Sequence, residues 1–394
     1  MAWAALLASC VTIDTPPDPT TDDAIVDANV KFTLEYFKAS YDERNNYVAS
    51  PYHVRLALSM FYPLAGAAVQ EDFRIAFGLP DDTDTTVEQQ IRLARRMNET
   101  DGRCLKALSF VLVEQSLQLD ANFERLFMHT YDTTLEPVDL TDDIPSAAAV
   151  NSFYRMANTE IDDFICEGDV FSLDPCFKLM LFSGVSVLSP LSVRFRATET
   201  TLGCFRFVNA PEKRVPIMRT TATIRRCLHN ELRCAVVDIP FDEPSGLSLL
   251  LLLPNEGTEL RQVVSTLTSK HLEQIDEYLQ PTLTELRLPV FFVREKTDTK
   301  TILGKLGYGG VFEIADLRIF RDQPRTCLSG FFQHCYLAIG DGAEGGIPAE
   351  EPAAEPTHKF HADRPFMFAV RRMADRNILQ IGHYSRYIDP DEQF

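Results

Sequence analysis

The hydrophobic periodicity of the chain changes near Lys178, and this change limits the fold more than any other feature of the sequence. Before this point, apolar residues recur mainly with the spacing of amphipathic helices. After it, alternating or continuous apolar runs, such as Leu247 to Leu253, predict mainly strands. Helices followed by strands are typical of an α+β fold. We therefore expect a mixed α+β protein.

The 394 residues exceed the usual length of one domain, but no internal repeat or low-complexity tract divides them. We predict a single two-lobed domain over residues 24–394 and an N-terminal extension over residues 1–23. The later segments include a predicted helix over Leu260 to Leu279 and a predicted strand over Thr284 to Val293.

Net charge and apolar run length exclude two classes of partner. A formal charge of -19 repels phosphate backbones over most of the surface, so nucleic acid is not an expected partner. The longest interior apolar run is too short to cross a bilayer, so no membrane span is expected. We expect a monomer.

The N-terminal segment Met1 to Cys10 is short and apolar, and it is read equally well as a truncated signal peptide or as a frayed extension. The first interpretation predicts an extracellular, secreted protein in which the Asn98 sequon (Asn-Glu-Thr) carries a glycan. The eight cysteines other than Cys10 are either buried thiols or members of disulfides. The candidate disulfide pairs are Cys227 with Cys234, and Cys166 with Cys176.

Several short motifs occur along the chain in one characteristic order. They are Asn46 to Pro51 (NYVASP), Val138 to Leu140 with Asn151 to Phe153, Val215 to Met218, Leu247 to Pro254, Phe360 to Phe368, and Ile378 to Gly382. Each alone would be a chance match, but together they resemble the serpin family over roughly residues 25–390.

The resemblance implies three β-sheets wrapped by helices, with an exposed reactive loop at about residues 340–359. In inhibitory serpins a protease cuts this loop, and the freed segment inserts as a new central strand of the main sheet. The resemblance therefore also implies a serine protease as partner, and no enzymatic activity of the chain itself.

Departures from the family pattern affect the polar cluster beneath the main sheet. His53 and Ser183 stand where the family has serine and asparagine, and either Gln333 or His334 occupies the family's histidine position. Leu191 replaces a tryptophan at the top of the sheet. These changes predict either altered opening of the sheet or a neutral repacking of the cluster.

The reactive loop lacks the composition of a central strand. Its hinge resembles the family at Gly342, Ala343 and Glu344, but the small residues expected next are replaced by Gly345, Gly346, Ile347 and Pro348. Proline cannot donate to a strand ladder, and Glu351 would face the core if the alternation is counted from Ala343. We therefore predict a non-inhibitory serpin, with an inhibitor that uses an unusual short loop as the alternative.

The scissile bond depends on which end of the loop is aligned. Alignment from the hinge places it at Pro356-Thr357, whereas alignment from Phe360 places it near Ala354-Glu355.

Two other interpretations involve ligands. Gly340 to Gly345 satisfies GxGxxG, but the prolines that follow prevent the helix that a dinucleotide needs, so no cofactor is predicted. Arg92, Arg95 and Arg96 share one face if residues 87–97 are helical. They form either a polyanion site or an ordinary solvated helix face.

Overall fold

The computed structural model describes residues 19–80, 82, 85–86, 89, 92–93, 104–131, 133–140, 143–156, 178–207, 211–242, 244–321, 325–340 and 355–387. Within these ranges the chain has the predicted α+β architecture. Its helices are α1 (Pro19–Ser40), α2 (Pro51–Ser59), α3 (Ala67–Phe77), α4 (Ala121–Thr130), α5 (Asp143–Met156), α6 (Leu260–Thr266), α7 (Ser269–Tyr278), α8 (Thr299–Lys305) and α9 (Gly310–Glu313).

The described strands form two hydrogen-bonded sheets. They are β1 (Tyr47–Ala49), β2 (Leu105–Glu114), β3 (Thr134–Val138), β4 (Leu179–Val187), β5 (Thr201–Phe205), β6 (Lys213–His229), β7 (Cys234–Pro240), β8 (Leu247–Pro254), β9 (Gln280–Pro289), β10 (Phe291–Asp298), β11 (Gly330–Ile339), β12 (His358–His361), β13 (Phe366–Arg372) and β14 (Ile378–Tyr384). The five-stranded sheet has the order β10-β11-β4-β2-β3. The nine-stranded sheet has the order β1-β14-β13-β8-β7-β6-β9-β12, with β5 also paired to β6.

Two of the three expected sheets are joined into the nine-stranded sheet by one long strand, and the five-stranded sheet is the third. Strand β6 is 17 residues long. Its first part pairs with β5, and its last residues, Arg225 to His229, pair with β7. A single continuous strand therefore joins two sheets that are otherwise built from different strands.

Two elements differ from the sequence prediction. The helix predicted over Leu260 to Leu279 is divided into α6 and α7, because Thr268 forms a capping box with His271 and starts a new helix. The strand predicted over Thr284 to Val293 is divided at Val290 into β9 and β10, which belong to different sheets. Both breaks depend on local capping or tertiary pairing that hydrophobic periodicity does not report.

Local sequence explains where several helices begin and end. Helix α1 begins at Pro19, inside the predicted extension, and proline is well suited to a first helical turn. Helix α2 follows the N-cap Ser50, whose side chain accepts a hydrogen bond from the backbone N–H of His53. Helix α3 ends at Gly78, which has a φ of 58° that favours glycine.

Three buried clusters fill the space between the helices and the sheets. One lies among α1, α2, α3 and the lower half of the five-stranded sheet, which is the half that contains Leu179 and Phe331. A second lies between the nine-stranded sheet and the upper half of the five-stranded sheet, which is the half that contains Val187 and Ile339. The third packs α5 against β2 and β4 through residues such as Tyr154 and Phe182. None of the helices in the described ranges combines the length and apolarity needed to span a bilayer.

Candidate functional site

The candidate site is the seam between β4 and β11, the central strands of the five-stranded sheet. These strands are parallel neighbours, paired from Gly330 opposite Met180 to Leu337 opposite Val187. A further strand antiparallel to both could enter only by separating them. The seam is therefore closed along its paired length.

A glutamine side chain joins the two strands near the middle of the seam. Gln333 on β11 donates from Nε2 to the Ser183 hydroxyl on β4 at 3.3 Å and to the Ser50 carbonyl at 3.1 Å. Its Oε1 accepts from the Ser50 N–H at 2.8 Å and from the Cys335 thiol at 3.4 Å. Because Gln333 and Ser183 are both buried, separating the strands removes this hydrogen bond from a dry environment.

A second glutamine spans the same seam from the other sheet. Gln380 on β14 donates from Nε2 to the Val185 carbonyl of β4 at 2.8 Å and to the Tyr336 carbonyl of β11 at 3.2 Å. The side chain is fully buried. One amide group thus contacts both strands that an inserting segment would have to part.

Strand alternation decides which residue occupies the family's histidine position. Gln333 points inward, towards Ser50, whereas His334 points to the opposite face, where its ring lies 6.5 Å from that of Tyr154 on α5. Gln333 is therefore the member of the polar cluster. Burial, and to a smaller extent the nearby cations Arg294 and Lys296, lower the pKa of His334 to about 3.

His53 belongs to the cluster through its backbone and not through its ring. Its N–H donates to Ser50 Oγ at 3.3 Å, and Ser50 Oγ in turn donates to the Leu379 carbonyl at 2.5 Å. Burial lowers the pKa of His53 to about 4, so the ring is neutral at pH 7. No hydrogen-bond partner of its Nδ1 is found within the part of the chain that the structure describes.

Helix α5 covers the outer face of the seam. Tyr154 donates from its hydroxyl to the Ser183 carbonyl at 2.8 Å. A Cβ at Gly184 would lie 2.9 Å from the Tyr154 ring, so glycine allows this close approach. Together with the inward contacts, Ser183 is held from both faces of the sheet.

The loop sequence follows β11 of the five-stranded sheet and precedes β12 of the nine-stranded sheet. Strand β11 ends at Ile339, and the hinge residues Gly342 to Pro348 lie outside the described residues, as does Ala354. Glu355 is exposed, and Thr357 donates to the Leu283 carbonyl at 3.3 Å. Strand β12 then pairs with β9 directly after the candidate scissile residues Pro356 and Thr357.

The sequence as a whole matches a known protein family. A family model described as Serpin (serine protease inhibitor) matches residues 27–387. The chain belongs to the serpin family. Its similarity to curated serpins includes 25% identity to the leukocyte elastase inhibitor of Sus scrofa, over 91% of this chain and 98% of the relative.

Solved serpin structures have the same fold. SRPN18 from Anopheles gambiae is 66% identical with a TM-score of 0.87, and the match covers 94% of this chain and 100% of that chain. Human thyroxine-binding globulin has a TM-score of 0.80 at 20% identity, with the same coverage of 94% and 100%.

Several predicted residues of this serpin lie apart from the seam. Leu191 is buried and forms an isolated bridge with Phe241. Arg92 is helical and half-buried, whereas Arg95, Arg96 and Asn98 lie outside the described residues, so the polyanion and glycan predictions remain predictions.

For this serpin, the structure decides between free thiols and a disulfide at one of the two candidate cysteine pairs, in favour of free thiols, and the other pair is untested. Cys227 and Cys234 are free and buried, because Cys234 is in register with His229 and the two cysteines lie diagonally across the hairpin. Cys166 and Cys176 lie outside the described residues. Among the described residues, no group of three or more His, Cys, Asp or Glu side chains could hold a metal ion.

Sequence reasoning missed Gln380, although it had one available signal. Gln380 is a polar residue within the otherwise apolar closing segment Ile378 to Ile381. A buried polar side chain must find hydrogen-bond partners, so its position could have indicated a specific contact. The partners themselves lie on strands distant in sequence.

Proposed function

We propose that this serpin is a secreted protein that acts by binding through its surface and does not trap proteases by loop insertion. A serine protease is then at most a substrate-type or non-covalent partner of a monomeric serpin. The observation that carries this proposal is the mismatch between the loop sequence and the buried seam that it would have to enter.

The seam demands a strand with complete backbone hydrogen bonding. All nine residues of β4 are buried, so an inserted strand would be a central strand without access to water on the β4 side. Pro348 and Pro352 have no N–H to donate, and each costs roughly 3 kcal/mol in such a position. Gly345 and Gly346 lose additional backbone entropy when they are ordered.

The seam is also too apolar for the acidic part of the loop. An inserting strand that enters beside Leu337 with Ala343 facing inward would bring Glu351 to the lower half of the seam. There the strands contribute Leu179, Leu181 and Phe331, each with 0% exposure. Burying a carboxylate against such side chains costs several kcal/mol or forces its protonation.

Insertion must overcome the closed state as well. It separates Gln333 from Ser183 and removes Gln380 from at least one of its two carbonyl acceptors. Together with the loop penalties, the cost is on the order of 10 kcal/mol, comparable with the stability of a typical domain. This sum favours a loop that stays outside the sheet.

The proposed extracellular location rests on two sequence features, the apolar segment Met1 to Cys10 and the Asn98 sequon. Expression of the full chain in a secreting eukaryotic cell tests it. We expect protein in the medium whose mass falls on treatment with an N-glycosidase, and retention inside the cell would contradict the proposal.

The second candidate function is a working protease inhibitor. It is favoured by the family description and by the similarity to the leukocyte elastase inhibitor. Incubation with trypsin-, chymotrypsin- and elastase-like enzymes, followed by denaturing electrophoresis, distinguishes the two functions. We expect cleaved or intact serpin and no denaturant-stable complex, and a stoichiometric complex with any of these enzymes would establish the inhibitor instead.

A further inference from the structure

Three basic side chains form a row across neighbouring strands of the nine-stranded sheet. Arg219 on β6 is directly opposite Arg287 on β9, and Arg287 is in register with His361 on β12. Residues in register project from the same face of a sheet, so the three side chains lie side by side. Like charges placed directly opposite each other are destabilising.

One buried carboxylate partly compensates this row. Glu285 has a side chain that is 6% exposed. Its Oε1 lies 3.3 Å from Arg219 Nε, 2.7 Å from Arg287 Nη2 and 3.3 Å from His361 Nε2. Two arginines thus share a single carboxylate, and the group keeps a net charge of about +1 when the histidine is neutral.

The two guanidinium groups retain unused donors. Arg287 uses Nε and Nη2 on Glu285, whereas Arg219 uses only Nε. Within the part of the chain that the structure describes, both side chains form their ion pairs with Glu285, which leaves further N–H groups on each five-donor guanidinium. Their side chains are 55% and 42% exposed, so these donors are accessible to a ligand.

These donors face a pocket of about 490 Å³. Its acidic lining residues are engaged elsewhere: Glu199 lies 3.1 Å from Arg196, and Asp363 lies 2.9 Å from Arg206. The pocket is therefore a locally cationic concavity on a protein whose formal charge is -19.

An apolar wall completes the pocket beside the cationic row. Ile217 and Ala362 line it, together with Gly203 and the exposed Cys204. A Cβ at Gly203 would lie 2.8 Å from Ile217 Cγ1. The glycine consequently leaves the Ile217 side chain room along the wall of the pocket.

We propose that this pocket binds a small organic anion whose carboxylate, sulfonate or phosphate group contacts Arg219 and Arg287. The apolar body of the ligand rests against Ile217 and Ala362. A volume of this size suits a small molecule, and paired arginine donors suit a planar or tetrahedral anion. The pocket is separate from the β4–β11 seam, so this proposal does not depend on whether the loop inserts.

The first test uses the anionic fluorophore 8-anilinonaphthalene-1-sulfonate as the probe. Titration into the full-length protein is followed by fluorescence at low and physiological salt. We expect saturable binding that is weakened at least about tenfold by Arg219→Gln, because a charge-assisted contact is lost. Arg44→Gln is the matched control, since Arg44 is 81% exposed and pairs only locally with Asp42.

Arg219→Gln is expected to fold, because Arg219 is half-exposed and contacts Glu285 through one nitrogen. Equal affinity in Arg219→Gln and wild type would overturn the proposal. So would an equal loss in Arg44→Gln, which would indicate general attraction of the anion to surface charge.

The second test locates the ligand without a substitution. Cys204 lines the pocket and is exposed, whereas Cys327 is half-buried elsewhere. Iodoacetamide labelling is quantified for each cysteine by peptide mass spectrometry. We expect saturating probe to slow the modification of Cys204 several-fold and to leave that of Cys327 unchanged, and an unprotected Cys204 would refute the proposed location.

Discussion

Gln333 and Ser183 are joined twice across the seam, once by the register of their strands and once by a 3.3 Å hydrogen bond between Gln333 Nε2 and Ser183 Oγ. Both side chains are buried. A hydrogen bond at this depth is stronger than one in water, and an unpaired partner is costly. Separating β4 from β11 at this point therefore has a free-energy cost, because it breaks this buried hydrogen bond.

Replacing Gln380 should weaken the seam. Gln380→Met keeps the length of the side chain but removes the donors to the Val185 and Tyr336 carbonyls. We expect a loss of about 1 to 2 kcal/mol in the free energy of unfolding. Urea denaturation measures this change, and hydrogen exchange should accelerate in β4 and β11.

Gln262→Met is the control for this prediction, because Gln262 is exposed on α6. It should change neither stability nor exchange in the seam. Unaltered exchange in β4 and β11 of Gln380→Met would show that Gln380 does not hold these strands together.

Cleavage of the reactive loop should leave the thermal unfolding temperature nearly unchanged. The cut must lie N-terminal to Thr357, because β12 is held by β9 beyond that point. A loop that stays outside the sheet adds no ladder hydrogen bonds, so the shift should stay within the few degrees that ~1 kcal/mol produces. Calorimetry of intact and cleaved protein in one buffer measures it.

The contrasting variant is Pro348→Ala, Glu351→Ala, Pro352→Ala. It restores the two backbone N–H donors that the prolines lack and removes the acidic side chain, so cleavage of this variant should raise the unfolding temperature more than cleavage of the wild type. A rise of tens of degrees in the cleaved wild type would show that the native loop inserts despite its prolines.

Acidification should destabilise the protein through its buried histidines. Burial lowers the pKa of His53 to about 4 and that of His383 to about 3, from about 6.5 in the unfolded chain. The unfolded state therefore binds more protons below pH ~6.5, and stability falls by up to about 1.4 kcal/mol per pH unit for each histidine. The loss ends once the pH passes below the folded pKa.

His53→Gln should flatten the pH dependence of the urea midpoint between about pH 6.5 and pH 4. His358→Gln changes an exposed histidine and should reproduce the wild-type profile. Parallel profiles for His53→Gln and wild type would contradict the assignment of this acid sensitivity to His53.

Titration of Glu295 should have the opposite effect to that of the histidines, because it should lower the stability of the protein as the pH rises. It lies in register with Cys335, and burial raises its pKa to about 7. A folded pKa above the unfolded one adds stability that is complete at low pH and is lost as the pH rises through 7. Glu295→Gln should therefore exceed the wild type in stability by roughly 1 to 2 kcal/mol at about pH 8, after allowance for partial exposure.

The same variant should give no advantage near pH 4.5, where the wild-type carboxyl group is already protonated in the folded state. Glu277→Gln on the exposed surface of α7 is the control. Chemical denaturation at both pH values measures the difference, and an equal effect at the two values would exclude titration of Glu295 as its cause.

The secondary structure was predictable where one local rule was sufficient. Periodicity located helices and strands because it reports which face of an element is buried. It failed at Thr268 and Val290, where a capping box and a change of sheet decide the boundary. Neither depends on the pattern of apolar residues.

The sequence by itself determined the α+β class, the serpin family and the proline-rich, acidic composition of the loop on which the non-inhibitory proposal rests. Each depends on local chemistry, such as the missing N–H of Pro348 and Pro352, or on the order of motifs along the chain. Only the tertiary structure decided that Gln333 enters the seam, that Gln380 reaches it from the other sheet, and that Arg219 lies opposite Arg287. These relationships join residues far apart in sequence, and strand register, which a sequence pattern does not encode, fixes them.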